Sequence, residues 1–330
     1  MSGPSGATDA VRGGPSRRAT GFVTHTLSLR HDTGVGHPER PERIESVIGR
    51  LRACGAWSEL ARLEANECST GALARVHDAA YVERVRADVS RGARVLDEGD
   101  TRVSADSWRA ALGSAGGALD AVTRVWRGEW RNAFVATRPP GHHAEHAEAM
   151  GFCVFNNVAV AAAHLIEELG VERVAIVDWD VHHGNGTQHL FERDPRVFYA
   201  SLHQWPLYPG TGLANERGIG PGEGTTLNLP QPPRAGDREW LGAFERELLP
   251  RLESFDPRFV LISAGFDAHV DDPLAQTCLS TAAYATMTRH LADLARARCG
   301  GRLVSLLEGG YDLDALAECA EAHVGELLRA

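Results

Sequence analysis

The stretch over residues 173–188, RVAIVDWDVHHGNGTQ, places the tightest constraint on how this chain can fold. Its apolar run, VAIV, has no polar alternation, which is typical of a strand buried on both faces, as in a parallel sheet. Polar residues follow at once. Because alternate residues of an extended chain point the same way, Asp178, Asp180 and His182 are expected to share one face where the strand ends.

The order of strand, polar loop and helix recurs along the chain after residue 130. Strands that alternate with helices predict an α/β fold of three layers, α/β/α, around a central and mainly parallel sheet. We predict strands over residues 132–137, 174–177, 197–202, 259–263 and 303–307, and helices over 158–169, 240–252, 281–298 and after the cap Asp312.

The first 130 residues give weaker signals. Residues 1–20 are rich in Gly, Ser, Pro and Arg, which predicts a disordered tail before a single domain over 21–330. A first strand is expected over 21–25. Helices are expected on the spacing of Ile44, Val47, Ile48 and Leu51 before Gly55, after the N-cap Asp78, and over about 105–127, where small residues allow close packing.

Composition narrows the classes of function. The formal net charge is -10, which argues against general affinity for nucleic acid, because such affinity needs a basic face. No apolar run approaches transmembrane length, so no membrane association is expected. The six cysteines contain no CxxC pair, which favours reduced thiols and a cytoplasmic location.

The polar residues that follow the predicted strands are the main evidence for a site. Ligands of open parallel sheets bind at the carboxyl ends of the strands, and here each strand after residue 130 carries unusual polar residues at that end. These residues are His142 and His143, then Asp178, Asp180 and His182, then Ser201 and His203, then Asp267, and finally Tyr311.

The residue types indicate metal-assisted hydrolysis. Asp180, His182 and Asp267 supply three ligands for a divalent metal and leave a position open, which marks a catalytic rather than a structural site. His142 and His143 are candidates to accept and return protons. Asp178 and Asn185 are candidates to orient those histidines, and Tyr311 to stabilise a developing oxyanion.

Two alternatives stay open at this point. The segment HHAEHAE offers another metal cluster, His142, Glu145 and His146, although that cluster leaves DWDVHH unexplained. The PERPER run of the loop over 31–43 suits either a solvated helix start or a rim loop near a substrate mouth. Each candidate residue alone also fits an ordinary turn or cap; the case rests on their convergence.

Five motifs together resemble the histone deacetylase family of the arginase/deacetylase superfamily. They are RPPGHHAE (138–145), GFCVFNNVA (151–159), DWDVHHGNGTQ (178–188), SAGFDAHVDDPL (263–274) and EGGYD (308–312). The resemblance covers roughly residues 21–330. Asn185, where class I enzymes carry Asp, is similar to class II and bacterial class II-like members.

The resemblance implies several bound ions. It implies zinc, or iron(II) in the cell, on Asp180, His182 and Asp267, with the histidine pair and Tyr311 as catalytic groups. It also implies structural potassium at two sites. The first would take Asp178, Asp180, His182, Ser201 and Leu202, and the second the carbonyls of Phe191, Asp194 and Val197.

The resemblance implies a channel for an acyl-lysine side chain. Its predicted substrate-binding residues are Gly151, Phe152, Tyr208, Leu274, Gly310 and the rim carboxylate Asp100. Tyr208 stands where the family usually has phenylalanine. The implied reaction is hydrolysis of the acyl-lysine amide of a peptide or protein, with His143 as general base and later acid.

Other readings compete with this one. An acetylpolyamine amidohydrolase would have an acidic residue near position 274; Leu274 disfavours it, although Asp271 and Asp272 lie close by. An arginase-like dimanganese enzyme would need further carboxylates. A non-catalytic acyl-lysine binding module would keep the pocket without Tyr311 and both histidines. The loop over 203–236 is long enough for a lid or for an interface in a homo-oligomer.

Overall fold

A computed structural model describes residues 19–97 and 99–330. The predicted tail therefore lies almost wholly outside the described residues. The first strand begins at Ala19, two residues before the predicted domain boundary. Among the described helices, none is long and apolar enough to cross a membrane.

The centre of the fold is an eight-stranded sheet in which every pairing is parallel, in the order β2-β1-β5-β10-β9-β6-β7-β8. The strands are β1 (Ala19–Thr24), β2 (Leu60–Glu64), β5 (Trp130–Val135), β6 (Val174–Asp178), β7 (Val197–Gln204), β8 (Thr226–Gln231), β9 (Phe259–Ala264) and β10 (Leu303–Leu307). A separate antiparallel pair is formed by β3 (Val95–Leu96) and β4 (Thr101–Arg102).

Helices cover both faces of the sheet. They are α1 (Glu42–Ala53), α2 (Thr70–Leu73), α3 (Ala79–Ser90), α4 (Ser107–Trp126), α5 (Asn157–Glu167), α6 (Asn185–Phe191), α7 (Asp237–Ala243), α8 (Leu249–Phe255), α9 (Thr281–Cys299) and α10 (Leu313–Arg329). The predicted caps are confirmed, since the side chains of Asp78 and Asp312 accept hydrogen bonds from the first turns of α3 and α10.

Two apolar cores separate the three layers. In β6, Val174 and Ile176 enter the core under α3, α4 and α5, while Ala175 and Val177 enter the core under α1, α9 and α10. A strand buried on both faces needs apolar residues at every position, which is why this segment shows no alternation. The predicted three-layer fold is confirmed.

The structure differs from the predicted elements at the two edge strands and in one helix. The edge strands β2 and β8 were not predicted, and β8 lies inside the segment assigned to a long loop. The helix expected over 240–252 is a longer helical segment, in which α7 and α8 flank a π-helical turn over Phe244–Leu248. Pro230 in β8 suits an edge, where one unused N–H position costs no ladder hydrogen bond.

The small residues of α4 allow a very close approach, as predicted. A Cβ atom added to Gly116 would lie 1.7 Å from the carbonyl oxygen of Asn66. In α1, by contrast, a Cβ atom added to Gly49 would meet nothing within 4 Å.

We therefore expect opposite effects from the same substitution at these two helical glycines. Gly116→Ala should lower the free energy of unfolding by roughly 2 kcal/mol or more, because the Asn66 backbone must move. Gly49→Ala should raise it by about 0.5–1 kcal/mol through helix propensity. Urea unfolding followed by circular dichroism checks both, and equal effects would contradict the packing described for α4.

Candidate active site

The loops that follow β6 and β9 bring three potential metal ligands together. Asp180, His182 and Asp267 each offer an atom within 4.8 Å of the others. His182 Nδ1 lies 3.1 Å from Asp180 Oδ1 and 3.2 Å from Asp267 Oδ2. The cluster is almost completely buried, so its charges meet protein groups rather than bulk water.

The backbone around the cluster is shaped to hold these carboxylates. Gly309 N donates to Asp180 Oδ2 over 2.7 Å, and Val181 N donates to Asp267 Oδ1 over 2.9 Å. A Cβ atom at Gly309 would lie 2.0 Å from Asp267 Oδ2. Only glycine leaves room for both carboxylates here, and two carboxylates with an imidazole form a donor set that suits zinc.

The electrostatics of the cluster fit a cation. Burial, and then the charge of Asp180, raise the pKa of Asp267 to about 7. Burial disfavours the charged form of His182, but hydrogen bonding of its N–H to the carboxylates of Asp180 and Asp267 outweighs burial and raises the pKa of His182 to about 10. Two buried carboxylates that repel one another would be stabilised by a divalent metal between them.

The tandem histidines have different partners. His142 Nδ1 lies 3.0 Å from Asp178 Oδ2, and His143 Nδ1 lies 2.7 Å from Asn185 Oδ1. The two ring centroids are 4.0 Å apart. The predicted orienting groups are thus each beside one histidine.

These partners separate the pKa values of the two histidines. Burial lowers the pKa of His142, but the nearby charges of Asp178 and Asp180 outweigh burial and raise it to about 10. Burial, and then the positive charges of His142 and His182, hold the pKa of His143 well below its ordinary value. Paired groups with separated pKa values are a recurrent sign of divided acid and base roles.

Tyr311 lies in the loop after β10 and lines the pocket above the cluster. Its backbone N–H donates to Asp272 Oδ2 over 2.7 Å, and the Arg43 guanidinium lies 5.0 Å from its ring centroid. Burial raises the pKa of Tyr311 well above its ordinary value, so the hydroxyl keeps its proton. Asp272 is therefore buried behind the tyrosine as a backbone anchor, while Asp271 is exposed.

A pocket of about 230 Å³ leads from the surface to these groups. Phe152 and Tyr208 line it as predicted, and Phe152 holds a left-handed φ of 67°. The residues lining the pocket are Asp100, His143, Gly151, Phe152, His182, Leu207, Tyr208, Leu274 and Tyr311.

Asp100 joins the two sides of the pocket mouth. It accepts from Gly151 N over 3.0 Å and from the Tyr208 hydroxyl over 3.1 Å. The predicted substrate residue Gly310 is not part of the pocket lining. Its carbonyl accepts from Arg43 Nε over 2.6 Å, so it supports the Tyr311 loop from behind.

The alternative cluster in HHAEHAE is not assembled. His146 Nδ1 bonds the carbonyl of Val76 over 2.8 Å, while Glu145 bonds Asn185 and His189. Within the described residues, the other group with metal-ligand spacing is His142, Cys153 and Glu308. In that group one oxygen of Glu308 accepts from Gly141 N over 2.7 Å.

Comparison with known proteins agrees with this geometry. A model of the histone deacetylase domain matches residues 37–327. The chain belongs to the histone deacetylase family. The predicted resemblance is therefore confirmed.

Relatives of this deacetylase-family chain come from several kingdoms. It is 41% identical to a probable deacetylase of Archaeoglobus fulgidus over 89% of this chain and 82% of that protein. It is also 41% identical to the human polyamine deacetylase HDAC10, over 88% of this chain but only 44% of that protein. The crystal structure of the HDA15 HD domain matches with a TM-score of 0.89 and 38% identity, over 94% of this chain and 88% of that one.

The chain spans about half the length of several of these relatives. It covers 51% of histone deacetylase 5 and 53% of histone deacetylase 15 of Arabidopsis thaliana. Family membership supports deacetylase activity, and the family's metal dependence accords with the buried Asp180, His182 and Asp267.

The residues predicted for potassium form two groups, one at the carboxyl ends of β6 and β7 beside the site and one at the opposite end of β7. Asp178 and Ser201 are register partners on β6 and β7, and Leu202 follows on β7. Ser201 Oγ lies 2.9 Å from His203 Nδ1. The second group closes the turn before β7, where the Phe191 carbonyl accepts from Asp194 N over 2.9 Å and the Asp194 carbonyl from Val197 N over 3.2 Å. Both potassium sites remain predictions.

The loop over 31–43 carries buried charged residues that hold the loop of Tyr311 in place, which the sequence alone did not reveal. Glu39, Arg43 and Arg138 are completely buried, so the charges of Glu39 and Arg43 are not those of a solvated helix start. The same loop also reaches the pocket, since the ring centroids of His37 and Phe152 are 4.7 Å apart. Glu39 pairs with both arginines, and Arg138 Nη2 donates to Glu39 Oε2 over 2.7 Å. Arg43 in turn holds the carbonyls of Glu308 and Gly310 in the loop that carries Tyr311.

This buried cluster predicts a dependence of stability on pH. Burial disfavours the charged form of Glu39, but the charge of Arg138 outweighs burial and lowers the pKa of Glu39 from its ordinary 4.5 to about 2. A lowered pKa in the folded state stabilises the protein above the unfolded pKa. That contribution, about 3 kcal/mol, is lost as pH falls from about 4.5 towards 2.

We expect Glu39→Gln to unfold more easily at neutral pH, by roughly 3–5 kcal/mol, because two buried arginines lose their counter-charge. Its stability should also fall less steeply than that of wild type between pH 4.5 and 2. Urea unfolding across that range measures both effects. Parallel curves for the two proteins would exclude Glu39 as the titrating group.

Proposed function

We propose that this chain is a zinc-dependent amidohydrolase that removes acetyl or other acyl groups from lysine side chains of a peptide or protein. The observation that carries the proposal is an apolar pocket lined by His143, His182 and Tyr311, with the carboxylates of Asp180 and Asp267 buried beside His182. Membership of the deacetylase family supports the reaction class, while the substrate is inferred from the pocket.

A divalent metal held by Asp180, His182 and Asp267 would polarise the acyl carbonyl and activate water; zinc is our proposal and iron(II) the alternative. The chain supplies the remaining steps. His143, whose pKa is lowered, is neutral and ready to take a proton. It then returns that proton to the leaving amine, as a general base that becomes a general acid.

The other side chains of the pocket position the substrate and stabilise charge. Tyr311 keeps its proton and can donate it as a hydrogen bond to the oxygen that gains negative charge. Phe152 and Tyr208 would pack along the aliphatic stem of an acyl-lysine. His142, raised in pKa beside Asp178, contributes a fixed positive charge near the reacting groups.

The second candidate within the family is acetylpolyamine hydrolysis, and the human relative named polyamine deacetylase favours it. The pocket gives it less support. Leu274 lines the mouth, Asp272 is buried behind Tyr311, and Asp100 is the carboxylate among the lining residues. Asp100 already accepts hydrogen bonds from Gly151 and Tyr208, so an ammonium would have to compete for it.

A binding module for acyl-lysine is the candidate from another class. It would use the same apolar channel but would gain nothing from paired histidines with separated pKa values or from a buried, protonated tyrosine. The arrangement of His142, His143 and Tyr311 around the ligand trio therefore favours turnover.

The metal site can be tested by metal content. Wild type should bind about one zinc ion at the trio, and Asp267→Asn should lose nearly all of it, because one of three protein ligands is removed. Elemental analysis after dialysis measures the content. Asp271→Asn is the matched control, since that carboxyl is exposed and four residues away, and it should retain the metal. An Asp267→Asn protein with full zinc would rule out the proposed ligand set.

The substrate can be tested by steady-state hydrolysis with the zinc-loaded enzyme. We expect the highest kcat/KM for an acetyl-lysine peptide, compared with acetylputrescine, acetylspermidine and a longer-acyl lysine peptide. Tyr311→Phe should lower kcat roughly 10²–10³-fold, because it removes a donor to the developing oxyanion. A preference for the polyamines would support the second candidate. Substrate binding without turnover, with metal present, would support the binding module.

A further inference from the structure

The partner of His143 is an amide, and an amide has two chemically different ends. A carboxylate can only accept a hydrogen bond from the imidazole, whichever way it is turned. The Asn185 amide, if rotated by half a turn, would instead donate to His143 Nδ1. That would force the proton of neutral His143 onto Nε2 and remove the basic nitrogen that a general base needs.

The surroundings of Asn185 strongly favour one orientation. Its Nδ2 donates to Glu145 Oε1 over 2.5 Å, and it also faces the His143 carbonyl at 3.4 Å and Met150 Sδ at 3.2 Å. All three are acceptors. Its Oδ1 is thereby left to face His143 Nδ1 at 2.7 Å.

Glu145 is the strongest of the three acceptors, because it is a carboxylate. In the rotated amide, Asn185 Oδ1 would face a carboxylate oxygen at the same short distance, which places two acceptors against each other. Glu145 is itself held in place. Its side chain is 19% exposed, and the same Oε1 lies 2.8 Å from Nδ1 of the half-exposed His189.

We propose that Glu145 is a positioning residue that fixes the Asn185 amide and thereby keeps the proton of His143 on Nδ1. The inference rests on the proposed function for its catalytic consequence only. Glu145 acts through Asn185 and belongs neither to the metal-ligand group nor to the pocket lining. The glutamate of the RPPGHHAE motif thus has a role other than that of a metal ligand in a cluster with His142 and His146.

The test replaces Glu145 with glutamine, which has nearly the same shape but presents either a donor or an acceptor to Asn185. Long-range nitrogen–proton NMR correlations of the histidine rings report which nitrogen of His143 carries the proton. We expect Nδ1–H alone in wild type and a mixture of Nδ1–H and Nε2–H in Glu145→Gln. We also expect kcat to fall about two- to tenfold with KM little changed.

Making the same Glu145→Gln substitution in a second variant, Asn185→Asp, separates a positioning role from general damage to the fold. In Asn185→Asp the orienting group has no donor end, and two carboxylates face each other. Adding Glu145→Gln there removes that repulsion, so kcat should rise rather than fall. The matched control is Glu83→Gln, an exposed carboxyl on α3 that pairs with Arg86, which should leave kcat unchanged.

The outcomes are decisive in either direction. An equal loss of kcat from Glu145→Gln in both backgrounds, or an unchanged His143 tautomer, would overturn the positioning role. Because NMR reads the tautomer without turnover, failure of the proposed function gives a different result. Wild type would then show no hydrolysis on any substrate, while the tautomer of His143 would still depend on Glu145.

Discussion

The repulsion between two buried carboxylates, Asp180 and Asp267, is the constraint on which the rest of the site depends. Both lie at the carboxyl edge of the sheet, where little solvent screens them. The chain offsets their charge with backbone N–H groups of Val181 and Gly309 and with the imidazole of His182. A divalent cation would complete the compensation, so the arrangement that costs stability through repulsion would also provide affinity for a metal.

A second set of buried charges holds the loop that carries Tyr311 in place beside these carboxylates. Glu39 joins Arg43 and Arg138, and Arg43 carries this support to the backbone of Glu308 and Gly310. The tyrosine loop is thus fixed from both sides, since Asp272 holds the N–H of Tyr311. Fixed dipoles and hydroxyls need no reorganisation when charge develops, which is what a preorganised hydrolytic site requires.

The sequence allowed the centre of the fold and the candidate site to be predicted, because both depend on local patterns. An unbroken apolar run followed by DWDVHH indicates a buried strand with a polar end. The edge strand β2 has no such run, since only Leu60 of its five residues is buried. The burial of Glu39 depends on Arg138, 99 residues away. No local pattern distinguishes that pairing from a solvated charge run, and the same holds for the contact between Asp100 and Tyr208.

The mouth of the pocket suggests how selectivity arises. A carboxylate has about four lone-pair positions. Asp100 meets Thr101 Oγ1 and Gly151 N at Oδ1, and Gly151 N and the Tyr208 hydroxyl at Oδ2. A substrate donor can therefore bind Asp100 only by displacing one of these groups or sharing with it. Of the three, the Tyr208 hydroxyl belongs to an exposed side chain that can turn towards water. The Tyr208 hydroxyl would therefore compete with a substrate donor for the rim carboxylate, and the apolar walls would then provide most of the recognition.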